Sequence, residues 1–245
     1  YNTLCGMTRA EIETVFVPEL QELALQTETN YGEAVEQLTR QYDGYRFTPE
    51  KGFTPMFNPF SVLNALAKSR FGDYWFASGT PTFLVEILKK TNFDLRELDG
   101  IEVSSASLSD DRANISNPVP MIYQSGYLTI KSFDQRFRTY TLGFPNEEVK
   151  YGFLNFVAPF YTPVASTDTT FYIGKFVHEL ETGETEAFLT RLSCFFADFP
   201  YELNEKTERH YQVVFYLVFK LMGQFTQAEV RTACLLYTSP SPRDY

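Results

Sequence analysis

Apolar positions recur at helical spacing over most of this chain and switch to strand-like alternation over one short stretch near its middle. Thr8-Arg9-Ala10-Glu11 forms a capping box, and Ile12, Val15, Phe16, Leu20 and Leu23 behind it predict one amphipathic helix running to about Leu25. Its glutamates, Glu11, Glu13, Glu19 and Glu22, fall on the solvated side. A second helix is predicted from Asn30, with Ala34, Leu38 and Tyr42 on its inner face. Asn58-Pro59 sets another start, with Asn as cap and Pro at the first helical position, and Thr80-Pro81 repeats the device. A short helix over Phe93–Leu98 closes at Gly100, and the stretch from Ile101 to Asn117 turns polar and reads as a surface connection. From Pro120 to Asn146 the period changes. A short apolar helix is followed by β-rich runs at Tyr127–Ile130 and Thr139–Leu142, joined through SFDQRFR as a hairpin. Helical spacing then resumes at 147–160, with a loop at 163–170 and further helices over 174–181, 184–197 and 207–222. The last is apolar on most sides from Val213 onward, which predicts burial between elements.

Tyr42 to Lys90 is the stretch around which these elements gather. It holds Tyr42, Tyr45, Phe47, Phe53, Phe57, Phe60, Phe71, Tyr74, Trp75 and Phe76, too many aromatics to leave in water. Asp43-Gly44 is first a turn signal, with Tyr42 and Tyr45 as its packing anchors. Aromatics make up 17% of the chain and hydrophobic residues 44%, which excludes a disordered protein. The net charge of −10 excludes an overall electrostatic footprint for nucleic acid, though not a local basic face. No apolar run has membrane-spanning length, since Val213–Met222 is interrupted by Lys220. Cys5, Cys194 and Cys234 are widely spaced and outside any CxxC pattern, so neither a disulfide framework nor a zinc site is expected, and a cytoplasmic location is.

YDGYRF, NPFSVLNAL and FGDYWFASGTPTFLVEILKK together resemble the ATPase-like family in which an AAA-type domain precedes a PD-(D/E)XK nuclease-superfamily domain. The resemblance implies a mostly helical α+β chain in three parts. Residues 1–100 are expected to be the helical C-terminal lid part of the AAA-type domain, 101–165 a winged-helix-like module, and 166–233 a helical approach to a nuclease-like domain. The segment 234–245 is expected to be a non-native tail, because CLLYTSPSPRD resembles a translated sequencing-library adapter. Together with the absent initial Met, this suggests a piece of something longer.

Gly79, Thr80 and Pro81 resemble the GxP motif of the lid in STAND and related ATPases, where the proline packs near the adenine. The plain alternative is an ordinary helix start capped by Thr80. Lys131, Arg136 and Arg138 against Asp134 leave the hairpin locally basic and are the nucleic-acid candidates, although small basic wings often simply pack against neighbouring domains. Glu208 and His210 lie where many PD-(D/E)XK enzymes carry a first-helix acidic residue, but a lone carboxylate there reads as a solvated charge. His178 lacks a second ligand at i+4, and Asp110-Asp111 reads as a solvated pair.

Nothing matches the phosphate-binding loop G-x-x-x-x-G-K-[ST], and no Asp…Glu-x-Lys set is present. The chain by itself is therefore expected to be inactive, with no catalytic or metal residues. The resemblance implies ATP and Mg as cofactors of a longer parent and DNA as a partner of its nuclease domain. The alternative is a non-enzymatic interaction scaffold whose ATPase-like and nuclease-like folds are degenerate.

Overall fold

A computed structural model describes residues 6–48, 54–76, 82–91, 93–108, 117–162, 166–197 and 208–223. The protein is α+β and mostly helical, with one small three-stranded sheet. It divides between Phe160 and Tyr161 into two compact units.

In the first unit, α1 (Arg9–Val15) starts at the predicted capping box. The Thr8 hydroxyl accepts the Glu11 N–H at 3.2 Å, and Glu11 accepts the Thr8 N–H at 2.7 Å. The expected single helix breaks at Phe16, whose φ and ψ of −109° and 33° leave the helical region. Pro18 is the reason: it lacks an N–H and sits in the first turn of a new helix, α2 (Val17–Gln26), where none is needed. The break turns Val15 outward, 65% exposed, whereas Ile12, Leu20 and Leu23 stay buried. A second capping box, Asn30 with Glu33, opens α3 (Tyr31–Tyr42). The Asn58 side chain accepts the Phe60 N–H at 3.0 Å to open α4 (Pro59–Lys68). Ile12, Leu20, Leu23, Leu38, Tyr42, Phe57, Val62 and Tyr74 form one core across these four helices.

Then come α5 (Thr82–Lys90), a 3-10 turn at Leu95–Glu97, and β1 (Ile101–Ser104). This strand replaces part of the connection expected over 101–117. Its four residues alternate too briefly to stand out from the serine-rich run behind them. After α6 (Ser105–Leu108) and α7 (Val119–Gln124) come the hairpin strands β2 (Thr129–Asp134) and β3 (Thr139–Gly143). The sheet is antiparallel with order β1-β3-β2. Ile101 pairs with Leu142 and Ser104 with Thr139, while Ile130 pairs with Leu142 and Asp134 with Thr139. A bulge between Ile130 and Ser132 leaves Lys131 out of the ladder. Helix α8 (Glu147–Tyr161) closes the unit, burying Val149, Phe153, Leu154 and Val157.

The second unit contains α9 (Ser166–Glu181), α10 (Thr185–Ala197) and α11 (Glu208–Met222). Helix α9 begins inside the expected loop. Gly183, at φ +76°, stops it as predicted. Phe176 is fully buried and meets Phe188 and Phe195 edge-on at 5.7 and 6.0 Å. Helix α11 buries Val213, Val214, Leu217 and Leu221 but leaves Phe215 and Phe219 about half exposed, so only one side of it is buried.

Candidate functional site

The YDGYRF segment is the fastening point of the first unit. Tyr42 ends α3 fully buried. Its hydroxyl donates to the Gly72 carbonyl at 2.9 Å and accepts the Gly72 N–H at 3.0 Å. Burial pushes this phenol far above its ordinary range. Gly44 follows at φ +112°, so close to Pro145 that a β-carbon would lie 2.1 Å from its carbonyl oxygen. Tyr45 pairs with Met56 in an isolated bridge, and its hydroxyl donates to the Gly126 carbonyl at 3.3 Å. The Arg46 N–H donates to the Thr129 hydroxyl at 2.7 Å, and that hydroxyl donates to the Arg46 carbonyl at 3.0 Å. One turn therefore ties the helical core to the base of the hairpin. The two tyrosines anchor it as expected. Asp43 has one oxygen, Oδ1, buried with no hydrogen-bond partner among the described residues. Burial raises its carboxyl above the ordinary range despite Arg9, Arg46 and Lys131.

Glu148 lies beside this turn and was not visible as special in the sequence. It stands in the first turn of α8, where a carboxylate normally serves the helix dipole from the solvent side. Here it is fully buried. It accepts the Ser61 hydroxyl of α4 at 2.7 Å and the Trp75 N–H at 2.8 Å. Burial dominates these favourable bonds and raises its carboxyl from 4.5 to about 7. The only signal available was Asn146, whose side chain accepts the Val149 N–H at 3.0 Å and so marks the helix start. Glu148 and Ser61 are both fully buried, and among the described residues no third group completes a nucleophile–base set. Their arrangement is a latch between α4, the 74–76 turn and α8 rather than a catalytic pair. The rings of Trp75, Phe76, Tyr127 and Phe153 pack against one another with neighbouring centroids 5.0 to 5.7 Å apart.

The structure separates the three basic candidates. Lys131 lies at the foot of the hairpin, its ammonium donating to the Pro145 carbonyl at 3.3 Å, and burial lowers its pKa. Arg136 and Arg138 sit at the far tip. Asp134 Oδ1 accepts the N–H groups of Arg136 and Phe137 at 2.7 and 3.0 Å and so fixes the turn. The Arg136 guanidinium lies over the Phe137 ring, 5.0 Å from its centre.

Gly79, Thr80 and Pro81 lie outside the described residues, as do Asp110, Asp111, Cys5 and Cys234. Glu208 is exposed and accepts the Gln212 amide at 2.9 Å, in keeping with a solvated charge. His178 is exposed near the end of α9, and its neighbour Glu179 is committed to Arg191 at 2.6 Å. Among the described residues no three His, Cys, Asp or Glu side chains cluster as a metal site. None of the helices described is long and apolar enough to cross a membrane.

No family model matches the chain, and no solved structure matches it. The fold and site define a mostly helical α+β protein whose small sheet is fastened to a helical core by a half-buried turn. The chain is similar to an uncharacterized protein in the vnfD 5'-region of Azotobacter chroococcum mcd 1. The two are 29% identical over 241 residues, covering 95% of this chain. The chain spans 44% of that relative's length.

Proposed function

We propose that the chain is the lid-and-wing portion of a longer ATP-binding protein coupled to a nuclease-like domain. In this reading the nucleotide state of the ATPase-like part repositions the wing and the nuclease-like part. The observation that carries it is the sheet order β1-β3-β2, with β1 between helices, α7 before the hairpin, and the hairpin's first strand on the edge. Winged helices use this connectivity, and it supports the same reading as the resemblance of YDGYRF, NPFSVLNAL and the Gly79-Thr80-Pro81 region. The relative's length, more than twice that of the matched part, leaves room for a phosphate loop and a nuclease-like core.

The chain alone should neither hydrolyse ATP nor cut DNA, since triphosphate and metal need a phosphate loop and a carboxylate set to hold them. Turnover by the purified chain that is lost on mutating one of its own residues would contradict this.

In the full-length protein, Pro81 contributes an apolar contact to the base. Pro81→Ala is compatible with a helix start, because Ala is the best helix former. Nucleotide titration should show affinity falling several-fold, about 1 kcal/mol for part of a ring's burial, with an unchanged melting temperature. Equal affinities with equal melting temperatures would reduce Gly79-Thr80-Pro81 to a helix cap. A full-length protein that binds no nucleotide at all would favour the non-enzymatic scaffold.

A further inference from the structure

The hairpin tip has a feature that neither the sheet nor the core requires. Phe137 is 66% exposed at the apex, between Arg136 and Arg138. A large apolar ring held in water has no folding advantage, and the Arg136 guanidinium over it still leaves most of the ring exposed. The tip is nonetheless held in place from two sides. Asp134 Oδ1 accepts the Arg136 and Phe137 N–H groups. The Arg138 carbonyl accepts the N–H and hydroxyl of Ser105 at 3.2 and 3.1 Å, which ties the tip to the end of β1. Arg138 sits at φ +52°, a left-handed conformation uncommon for arginine. A ring presented on a prearranged turn loses little freedom when it meets a partner.

The charges select the partner's chemistry. In a chain of net charge −10, the apex carries two guanidiniums, and among the described residues of the turn the carboxylate is Asp134, which is occupied with capping it. An apolar protein groove would have to desolvate both arginines to take the ring. A lipid surface would gain only one ring's worth of burial. Phosphates flanking an aromatic base satisfy all three side chains together, since any base offers a face to stack on and guanidinium pairs readily with phosphate. In an intact duplex those faces are closed by neighbouring base pairs.

We propose that the tip is a contact for nucleic acid carrying an unpaired base, with Phe137 stacking on the base and Arg136 and Arg138 meeting the adjoining phosphates. This deepens the wing reading above and rests on it. Lys131 takes no part, because its ammonium is held at the opposite end of the hairpin by the Pro145 carbonyl.

The test is fluorescence anisotropy of the full chain with a labelled intact DNA duplex and with the same duplex carrying a single-nucleotide gap. The gapped duplex should bind at least about fivefold more tightly, the lower range for one stacked base. Phe137→Ala should abolish that preference and Phe137→Trp should keep it. Arg136→Ala, and Arg138→Asn chosen to suit the left-handed backbone, should each weaken both duplexes and lower the salt slope by about one. These side chains are exposed, so melting temperatures should not move. A gap preference unchanged in Phe137→Ala overturns the stacking contact while leaving the wing–phosphate reading standing. Absence of binding to either duplex at low salt overturns both.

Discussion

Gly44→Ala is expected to unfold the first unit or cost it about 3 to 5 kcal/mol, among the largest effects of any single substitution in the chain. Two independent terms add at this position. The backbone stands at φ +112°, which a residue with a β-carbon adopts only under strain of about 1–3 kcal/mol. The new β-carbon would also fall 2.1 Å from the Pro145 carbonyl oxygen and 2.9 Å from its carbon. Those are backbone atoms, leading directly into Asn146 and the first turn of α8, and they cannot swing aside as a side chain would. Gly100→Ala separates the terms, because Gly100 has a similar φ of +105° but nothing within 4 Å of the position a β-carbon would take. It should cost only the conformational part. Urea denaturation of both variants measures the difference. If Gly44→Ala cost no more than Gly100→Ala, the Gly44–Pro145 contact would not be the fastening point described above.

That contact shows where sequence reasoning stops. Local chemistry was legible: Thr8 with Glu11, Asn30 with Glu33, and Asn58 with Pro59 each open a helix, because capping needs only residues a few positions apart. The hairpin was legible too, from the strand periodicity at Tyr127–Ile130 and Thr139–Leu142. Its first strand, however, is Thr129–Asp134 and takes in Ser132, Phe133 and Asp134 of the expected polar link. Two local features do not stand out in the sequence. Pro18 suits a first turn as well as it breaks a helix, and apolar spacing across Phe16 hid the break. Strand β1 is too short to outweigh the serines that follow it. The remaining features depend on partners distant in sequence. Asp-Gly announces a turn at Asp43 but not that Pro145 will lie against it. A glutamate beginning a helix looks like any dipole partner, and only the approach of Ser61 and Trp75 makes Glu148 different. Of the candidate site, Arg136 and Arg138 were found together. Lys131 falls with them in the sequence because a strand's two ends look adjacent there, whereas the hairpin holds them apart.

Glu148 should impose a pH dependence on stability opposite to that of a salt-bridged carboxylate. Its folded pKa, about 7, lies above the ordinary 4.5 expected once the chain unfolds. Between those values the folded protein keeps a proton that the unfolded chain releases, so stability falls as pH rises through the window. The slope approaches 1.4 kcal/mol per pH unit and the total is on the order of 3 kcal/mol, complete above about pH 7 where both forms are ionised. Below about 4.5 both forms are protonated and the penalty is absent. Glu148→Gln retains the bonding, since its carbonyl can accept the Trp75 N–H while its amide donates to the Ser61 hydroxyl, which can turn to accept. The variant should match the wild type near pH 4.5 and exceed its stability by about 2 to 3 kcal/mol at pH 8. Asp43, also raised by burial, contributes a slope of the same sign, but it is common to both proteins and cancels in the comparison. Glu148→Ala is the complementary case, because it strands the Ser61 hydroxyl and the Trp75 N–H and should destabilise at every pH by about 1–3 kcal/mol. Urea melts at half-unit steps from pH 4.5 to 8 give the three curves. Parallel curves for wild type and Glu148→Gln would mean that the carboxylate is ionised throughout, and that the bonds from Ser61 and Trp75 outweigh its burial.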